Sequence, residues 1–246
     1  MSVIAEVKGL TKYFPIERGM FRQGRGFVKA IDGISFSIPK ARTLGIVGRS
    51  GSGKTTLAKL LLKLIPPTSG EIIYNPAEIT NFRKDVQIIF QNPYQSLNPK
   101  MRIWDILAEP LIIHRHNLLN ESACRNKIKD FFGLVNKQDL QDKVLASLES
   151  VGLKQDVLGR FPIEFSGGQR QRICLARSLL LEPKFLILDE PVSSLDLTRQ
   201  VEILDLLKVL KSKFSLTYAF ITHNLSLLRE ISDSILVIDK GRLRQA

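Results

Sequence analysis

Only two cysteines stand in the 246 residues, Cys124 and Cys174, too far apart to form a CxxC pair. Neither a zinc site nor a disulfide framework is indicated, and a reducing, cytoplasmic setting fits. No apolar run approaches the ~18 consecutive residues of a membrane-spanning helix. The first stretch, Met1 to Phe14, mixes charge into every short apolar run, so it reads neither as a secretory signal nor as a lipidation motif. Internal repeats and low-complexity segments are lacking, which argues against two tandem copies of one fold. Aromatic residues make up 7% of the chain and never form a run interleaved with basic side chains. The base-stacking surface of a nucleic-acid binder is therefore missing. With the basic residues dispersed, the formal net charge of +12 fits an anionic membrane surface or a basic proteome better than specific nucleic-acid recognition.

What is there is an ordinary globular composition, 44% hydrophobic and 24% charged, in a chain long enough to bury a sizeable core. Short apolar runs predict strands at Val3 to Val7, Ile34 to Ile38, Leu44 to Val47, Val86 to Phe90, Phe185 to Leu188, Tyr218 to Ile221 and Ile235 to Ile238. Helices are predicted from Lys54 to Leu64 and from Gly168 to Leu181, each closed by proline. Between about Pro93 and Phe165 the strand signal disappears, and stretches such as Ile103 to Ile113 and Glu121 to Leu134 read as helices. The expectation is an α/β core over 1–92 and 166–246 with a helical subdomain inserted over about 93–165. Ile16 to Phe27, rich in glycine and arginine, reads as an exposed loop. Gly48, Gln91, Asp189, Thr222 and His223 all fall at the C-terminal ends of predicted strands, the edge where open α/β sheets bind ligands.

Gly48-Arg49-Ser50-Gly51-Ser52-Gly53-Lys54-Thr55 matches GxxxxGK[ST] between a strand and a helix, the context that a phosphate-binding loop requires. Its glycines let backbone N–H groups curl around phosphates, and the following helix adds its positive end. Lys54 is placed to reach the terminal phosphates, Thr55 to ligate Mg²⁺, and Thr56 follows them in the nucleotide-binding run. Phe185 to Glu190 is an apolar strand ending in two acids. Alone this is often a solvated turn; behind a phosphate loop it is the Walker B pattern. Asp189 then holds the metal and Glu190 is the general base for the attacking water. Ser166-Gly167-Gly168-Gln169 opens another helix with a hydroxyl and two glycines, a second N-terminus suited to an anion.

With these motifs in this order, the chain resembles the ABC ATPases, an α/β P-loop NTPase fold with an antiparallel β portion and an inserted helical subdomain. In that family Ser166, Gly167, Gly168 and Gln169 would be the signature that completes the ATP site of a second cassette. The resemblance further implies that Tyr13 stacks on adenine and that Gln91 senses the metal and the attacking water. Ser193-Ser194-Leu195-Asp196 resembles the loop that crosses the dimer interface, in which Ser194 and Asp196 are the candidate residues. His223 resembles the switch histidine at the γ-phosphate. Gln91 to Pro99, Ala108-Glu109-Pro110-Leu111 and His223-Asn224-Leu225-Ser226 look like the dipeptide, oligopeptide and nickel importer ATPases.

That resemblance implies ATP and Mg²⁺ as cofactors, and as partners a second ATPase subunit, identical or paralogous. It also implies two transmembrane permease subunits and an extracytoplasmic substrate-binding protein, at the cytoplasmic face of a bacterial inner membrane. Three departures stand out. Asn224 occupies a position where the family usually has aspartate; His114 to Leu148 looks longer than its counterpart. No His-Pro-Tyr motif follows Gly241-Arg242-Leu243, which shifts the expected cargo from peptides toward nickel or metal chelates. The rival readings are a non-transport ABC protein acting on nucleic acid or the ribosome and the cassette of an exporter. The first generally needs two cassettes, a long coiled coil or zinc-binding cysteines, and the PYQSLNP and EPL stretches favour import over the second.

Overall fold

The computed structural model describes residues 2–16, 26–91, 96–116 and 137–244. Its strands are β1 (Val3–Ile16), β2 (Gly26–Pro39), β3 (Thr43–Val47), β4 (Ser69–Tyr74), β5 (Val86–Ile89), β6 (Phe185–Asp189), β7 (Thr217–Thr222), β8 (Ser234–Asp239) and β9 (Arg242–Arg244). The helices are α1 (Lys54–Leu61), α2 (Phe82–Asp85), α3 (Ile103–His116), α4 (Lys137–Ser150), α5 (Gly167–Leu179), α6 (Leu197–Phe214) and α7 (Leu225–Ile231).

Six strands form one sheet in the order β5-β6-β7-β3-β8-β9, parallel except for the last. Its central strands are sealed on both faces, which is why they read as unbroken apolar runs rather than alternating ones. Period-2 geometry sends Phe185 and Ile187 of β6, with Ala219 and Ile221 of β7, into one hydrophobic cluster with β1, β2 and α1. Leu186, Leu188, Tyr218 and Phe220 enter the opposite cluster, shared with α3 to α6. Between β5 and β6 the described residues form helices and 3-10 turns but no strand. Ile103, Leu107, Val144 and Leu148 of α3 and α4 join Leu175 and Leu179 of α5 in that same cluster, so the helical stretch is packed continuously onto the sheet. No helix among the described residues is long and apolar enough to cross a membrane.

The second sheet, β2-β1-β4, is antiparallel. Here the strands outrun their sequence expectation. β1 and β2 pair from Val3↔Pro39 to Ile16↔Gly26, with register shifts around Val7, Leu10 and Lys12. These bulges break the alternation, and the far ends are exposed, so only Val3 to Val7 and Ile34 to Ile38 carry a visible apolar signal. Ile16, Gly26 and Phe27, expected in a loop, are strand residues; 17–25 lie outside the described residues. The helix expected at Glu121 to Leu134 also lies outside them, as does most of the His114 to Leu148 stretch. Strand β4 escapes the sequence reading because none of its residues is fully buried. Helix α6 escapes it because exposed Leu197, Val201, Val209 and Phe214 blur the stripe of Ile203, Leu204, Leu207 and Leu210.

The turn from β3 into α1 leaves no room for a side chain at Gly53. Gly53 caps α1 at φ 109, and a Cβ there would lie 2.2 Å from the Ala30 carbonyl oxygen of β2. Gly53→Ala therefore combines a disfavoured backbone with a steric clash, and we expect it to destabilise the fold by about 2 kcal/mol or more. A drop in the urea midpoint measures this; an unchanged midpoint would show that the joint has room to relax.

Candidate functional site

All the parallel strands run the same way, so the ends of β3, β5, β6 and β7 share one edge of the sheet. The loop from Gly48 to Gly53 leaves β3 there, with Arg49, Ser50 and Gly51 exposed and Ser52 buried. Gly48 lies against β8, where a Cβ would stand 2.2 Å from the Ile238 carbonyl oxygen. Two features mark the loop as incomplete by itself. Among the described residues helix α1 has no side-chain cap on its first N–H groups, and the buried Ser52 hydroxyl has no hydrogen-bond partner. Lys54 folds back over the loop, its Nζ donating to the Gly48 carbonyl at 2.8 Å and to that of Arg49 at 3.1 Å. An ammonium has three donors, so one remains for a further acceptor. Uncapped N–H groups, the helix dipole and this ammonium together make a cradle for a phosphate.

Asp189 ends β6 beside the cradle. Burial holds its carboxyl above the usual carboxylate range; the Thr55 hydroxyl, which donates to it, pulls it back, while the charge of Glu190 pushes it further up. A buried carboxylate that receives one hydroxyl, feels a second carboxylate beside it and has the Lys54 and Lys59 ammoniums only through space fits a cation. Among the described residues no three His, Cys, Asp or Glu side chains cluster as a metal cage. Thr55 and Asp189 thus fit Mg²⁺, which takes one or two protein ligands and completes its shell with water and substrate phosphates.

Glu190 follows in the left-handed region at φ 50, with its N–H donating to the Ile221 carbonyl at 2.9 Å. A non-glycine residue there costs roughly 1–3 kcal/mol and persists only where its surroundings enforce it. The strain turns its carboxylate toward two residues from neighbouring strand ends. Gln91 Nε2 donates to Oε2 at 3.2 Å, and His223 Nδ1 lies 3.2 Å from Oε1. Gln91, Glu190 and His223 are 99 and 33 residues apart in their two pairs, and the sheet edge brings them into one cluster. Asn224, where an aspartate was expected, caps α7 by accepting the Ser226 N–H at 2.9 Å.

Tyr13 stands on β1 with its hydroxyl donating to Asp32, which also accepts from Arg242 Nε at 2.9 Å. Lys29 Nζ lies 5.2 Å from the Tyr13 ring centre. Asp32 N–H donates to the Gly241 carbonyl, and Gly241 N–H to that of Ser52, so a chain of hydrogen bonds joins Tyr13 to the phosphate loop. Lys29, Asp32 and Arg242 carry no site role in the sequence reading; Asp32 and Arg242 are 210 positions apart, and nothing in the sequence pairs them.

Ser166, Gly167, Gly168 and Gln169 form a separate group. Ser166 caps α5 in a reciprocal box with Gln169. Asp196 caps α6 and pairs with Arg199, whose Nη1 reaches the Ser166 hydroxyl at 2.8 Å. Ser194 is exposed on the intervening loop. No hydrogen bond or ion pair among the described residues joins Ser166 to Gln169 with Lys54 or the phosphate loop. Cys174 is buried, which pushes its thiol up to about 12 and leaves it inert; Cys124 lies outside the described residues.

The sequence profile of the ABC transporter family matches residues 31–193. The chain belongs to the ABC transporter family. This ABC chain is 41% identical over 251 residues to the oligopeptide transport ATP-binding protein AppF of Bacillus subtilis, covering 98% of the chain and 71% of that relative. It is also 41% identical to the dipeptide transport ATP-binding protein DppF of Haemophilus influenzae, covering 95% of the chain and 68% of the relative. Among solved structures, cbiO1 of Clostridium perfringens, part of the cbiONQ transporter complex, superposes with a TM-score of 0.75 at 23% identity, over 100% of this chain and 88% of that one. The cassette MJ0796, in a dimeric post-hydrolysis state bound to ADP and Pi, superposes with a TM-score of 0.74 at 24% identity, over 98% of this chain and 97% of that one. The α/β P-loop cassette fold read from the sequence is thus the fold of the chain.

The raised Asp189 carboxyl sets a pH dependence. The native state binds this proton more tightly than the unfolded chain, so metal-free protein loses stability as pH rises from the ordinary aspartate range through the raised native pKa. Asp189→Asn should remove that part of the slope. In metal-free thermal melts we expect the variant to gain on the parent as pH rises above the ordinary aspartate range; a gap independent of pH would refute the assignment.

Proposed function

We propose that this chain is the ATP-binding and ATP-hydrolysing subunit of a bacterial ABC importer. Its cargo passes through a separate permease, and peptides are the cargo class that its relatives' names favour over nickel or metal chelates. The observation that carries the reading is the Gln91–Glu190–His223 cluster standing beside an uncapped phosphate cradle. Residues Gly48 to Lys54 with Thr55 and Thr56 hold the phosphates through backbone N–H groups, the Lys54 ammonium and the threonine hydroxyls. Tyr13, with its hydroxyl anchored on Asp32 and Lys29 over the ring, offers a ring face to adenine. Mg²⁺ held by Thr55 and Asp189, with Gln91 nearby, would supply charge neutralisation at the β- and γ-phosphates.

Glu190 accepts the proton of the attacking water while the water oxygen bonds to the γ-phosphorus. The bond to the β-phosphate oxygen breaks, and ADP leaves with that electron pair. Gln91 and His223 aim the carboxylate beforehand, and we assign His223 to the γ-phosphate. Within one chain, Ser166 to Gln169 have no such phosphate. We assign them, with Ser194 and Asp196, to the ATP held by a second cassette in a head-to-tail dimer. The glycines support this division. Gly48 and Gly53 are required by their own chain, whereas a Cβ at Gly168 would meet only Arg199, at an ordinary 3.6 Å. Leu197 at 79% exposure and Ile163 at 77% leave apolar surface around this group for a partner to cover.

A groove of about 680 Å³ runs from Thr55, Asp189 and Gln91 at the sheet edge to Pro110, Ile113 and His114 of α3. Its inner end belongs to the nucleotide site, and we assign its outer end, at α3, to the permease, with α3 and α4 as the inserted helical subdomain that receives it. The same reading implies two permease subunits, an extracytoplasmic binding protein and a peripheral position on the cytoplasmic face. Closing two cassettes around two ATP molecules does the mechanical work, because ATP prefers the closed state.

Glu190→Gln should keep ATP binding, slow hydrolysis by about 10²–10⁴-fold and hold an ATP-bound dimer that purifies from membranes with its permease. Hydrolysis at the parental rate would place the base elsewhere; co-purification with nucleic acid instead of permease would overturn the transport reading. Gly168→Ala should fold with unchanged or higher stability, since alanine is the better helix former by about 0.5–1 kcal/mol, and bind ATP as a single chain. Its ATPase should nevertheless collapse. Full activity would show that no phosphate approaches α5.

A further inference from the structure

The hydrogen bonds around Ser166 carry an inference about Arg199, a residue outside every motif of the sequence. A serine hydroxyl has one O–H to give and two lone pairs to receive. Both lone pairs of Ser166 are engaged inside its own chain, by the Gln169 N–H at 3.4 Å and by Arg199 Nη1 at 2.8 Å. The proton is then the only capacity left, so the hydroxyl can bond outward only to an acceptor. The same guanidinium reaches the other way, with Nε 3.1 Å from Asp196 Oδ2, while the Arg199 backbone N–H donates to Asp196 Oδ1 at 3.0 Å. One side chain thus bridges the start of α5 to the start of α6, and it crosses above Gly168 within 3.6 Å of where a Cβ would stand. A cation at a helix N-terminus is opposed by the dipole, so its place here depends on the Asp196 carboxylate and is improved by an arriving anion.

We propose that Arg199 is a positioning residue for the half-site offered to the partner cassette. It sets the Ser166 hydroxyl as a pure donor toward the γ-phosphate. It also locks the loop carrying Ser194 and Asp196 to the signature, so that the two approach the partner's nucleotide as one unit. This rests on the head-to-tail reading given above. The guanidinium meets the two partners with different nitrogens, Nη1 on Ser166 and Nε on Asp196, a fixed planar spacing that a lysine ammonium does not reproduce.

The test measures ATPase kinetics on the membrane complex carrying Arg199→Ala, Arg199→Lys, Ser166→Ala, Ser166→Arg or the Arg199→Ala/Ser166→Ala pair, and ATP binding to each isolated chain. Arg199→Ala should lower turnover at saturating ATP about tenfold or more, the loss expected of a hydrogen bond from a charged group. ATP affinity of the single chain should stay within about twofold, since the cradle is elsewhere. On a Ser166→Ala background, Arg199→Ala should add little, and Arg199→Lys should recover only a minor part of the lost turnover. Parental turnover in Arg199→Ala, additive losses in the pair, or full rescue by lysine would each overturn the role of Arg199. Ser166→Arg separates this failure from that of the reading beneath it. If it abolishes turnover while Arg199→Ala does nothing, the composite site stands and Arg199 is not part of it; if it too is fully active, the head-to-tail arrangement itself is wrong.

Discussion

A parallel strand buried on both faces has no place for a charge along its length, and this constraint organises the molecule. Strands β3, β6 and β7 are sealed between two hydrophobic clusters, so the one charged side chain they carry, Asp189, stands at a strand end, and the Tyr218 hydroxyl within β7 is buried only because it donates to the Leu207 carbonyl. Parallel pairing then puts those ends on one edge. Gly48, Asp189, Glu190 and His223 are neighbours for that reason, without any local sequence relation. The phosphate loop, the buried carboxylate and the strained glutamate are three outcomes of chains leaving a sealed sheet at the same level.

The site divides into a half that is built for itself and a half that is not. Around the phosphate loop, glycine is demanded by the chain's own backbone, and Lys54 keeps the loop in shape by bonding its carbonyls. Around Ser166 the hydroxyl keeps its proton uncommitted, and among the described residues nothing crowds a Cβ at Gly168 closer than Arg199 at 3.6 Å. A surface so arranged is complementary to something brought from outside. That asymmetry gives the proposed dimer its physical content.

Legibility in the sequence followed burial. The central strands were visible because both faces are apolar, and the phosphate loop because its spacing encodes its geometry. The outer halves of β1 and β2, and all of β4, were not, because bulges and exposure erase the alternation that periodicity depends on. Within the site, Glu190 is legible from the acid-ended apolar strand behind the phosphate loop, whereas the roles of Gln91 and His223 come through a family likeness, since a strand-end glutamine or histidine has no signature alone. Asp32, Arg242 and Arg199 were missed. Each acts through a partner far away in the chain or across a loop, and pairing at long range leaves no periodic trace.

The left-handed backbone at Glu190 has a consequence for how such a chain can change. Glycine or asparagine would sit there more comfortably, so relaxing this residue is an open route to a more stable protein. That route removes the carboxylate proposed as the proton acceptor. Selection for thermal endurance alone would drift toward an inert cassette, and a library screened only for heat resistance should accumulate substitutions at this position. Stability and turnover are opposed here at a single residue, and only selection on transport keeps the glutamate in place.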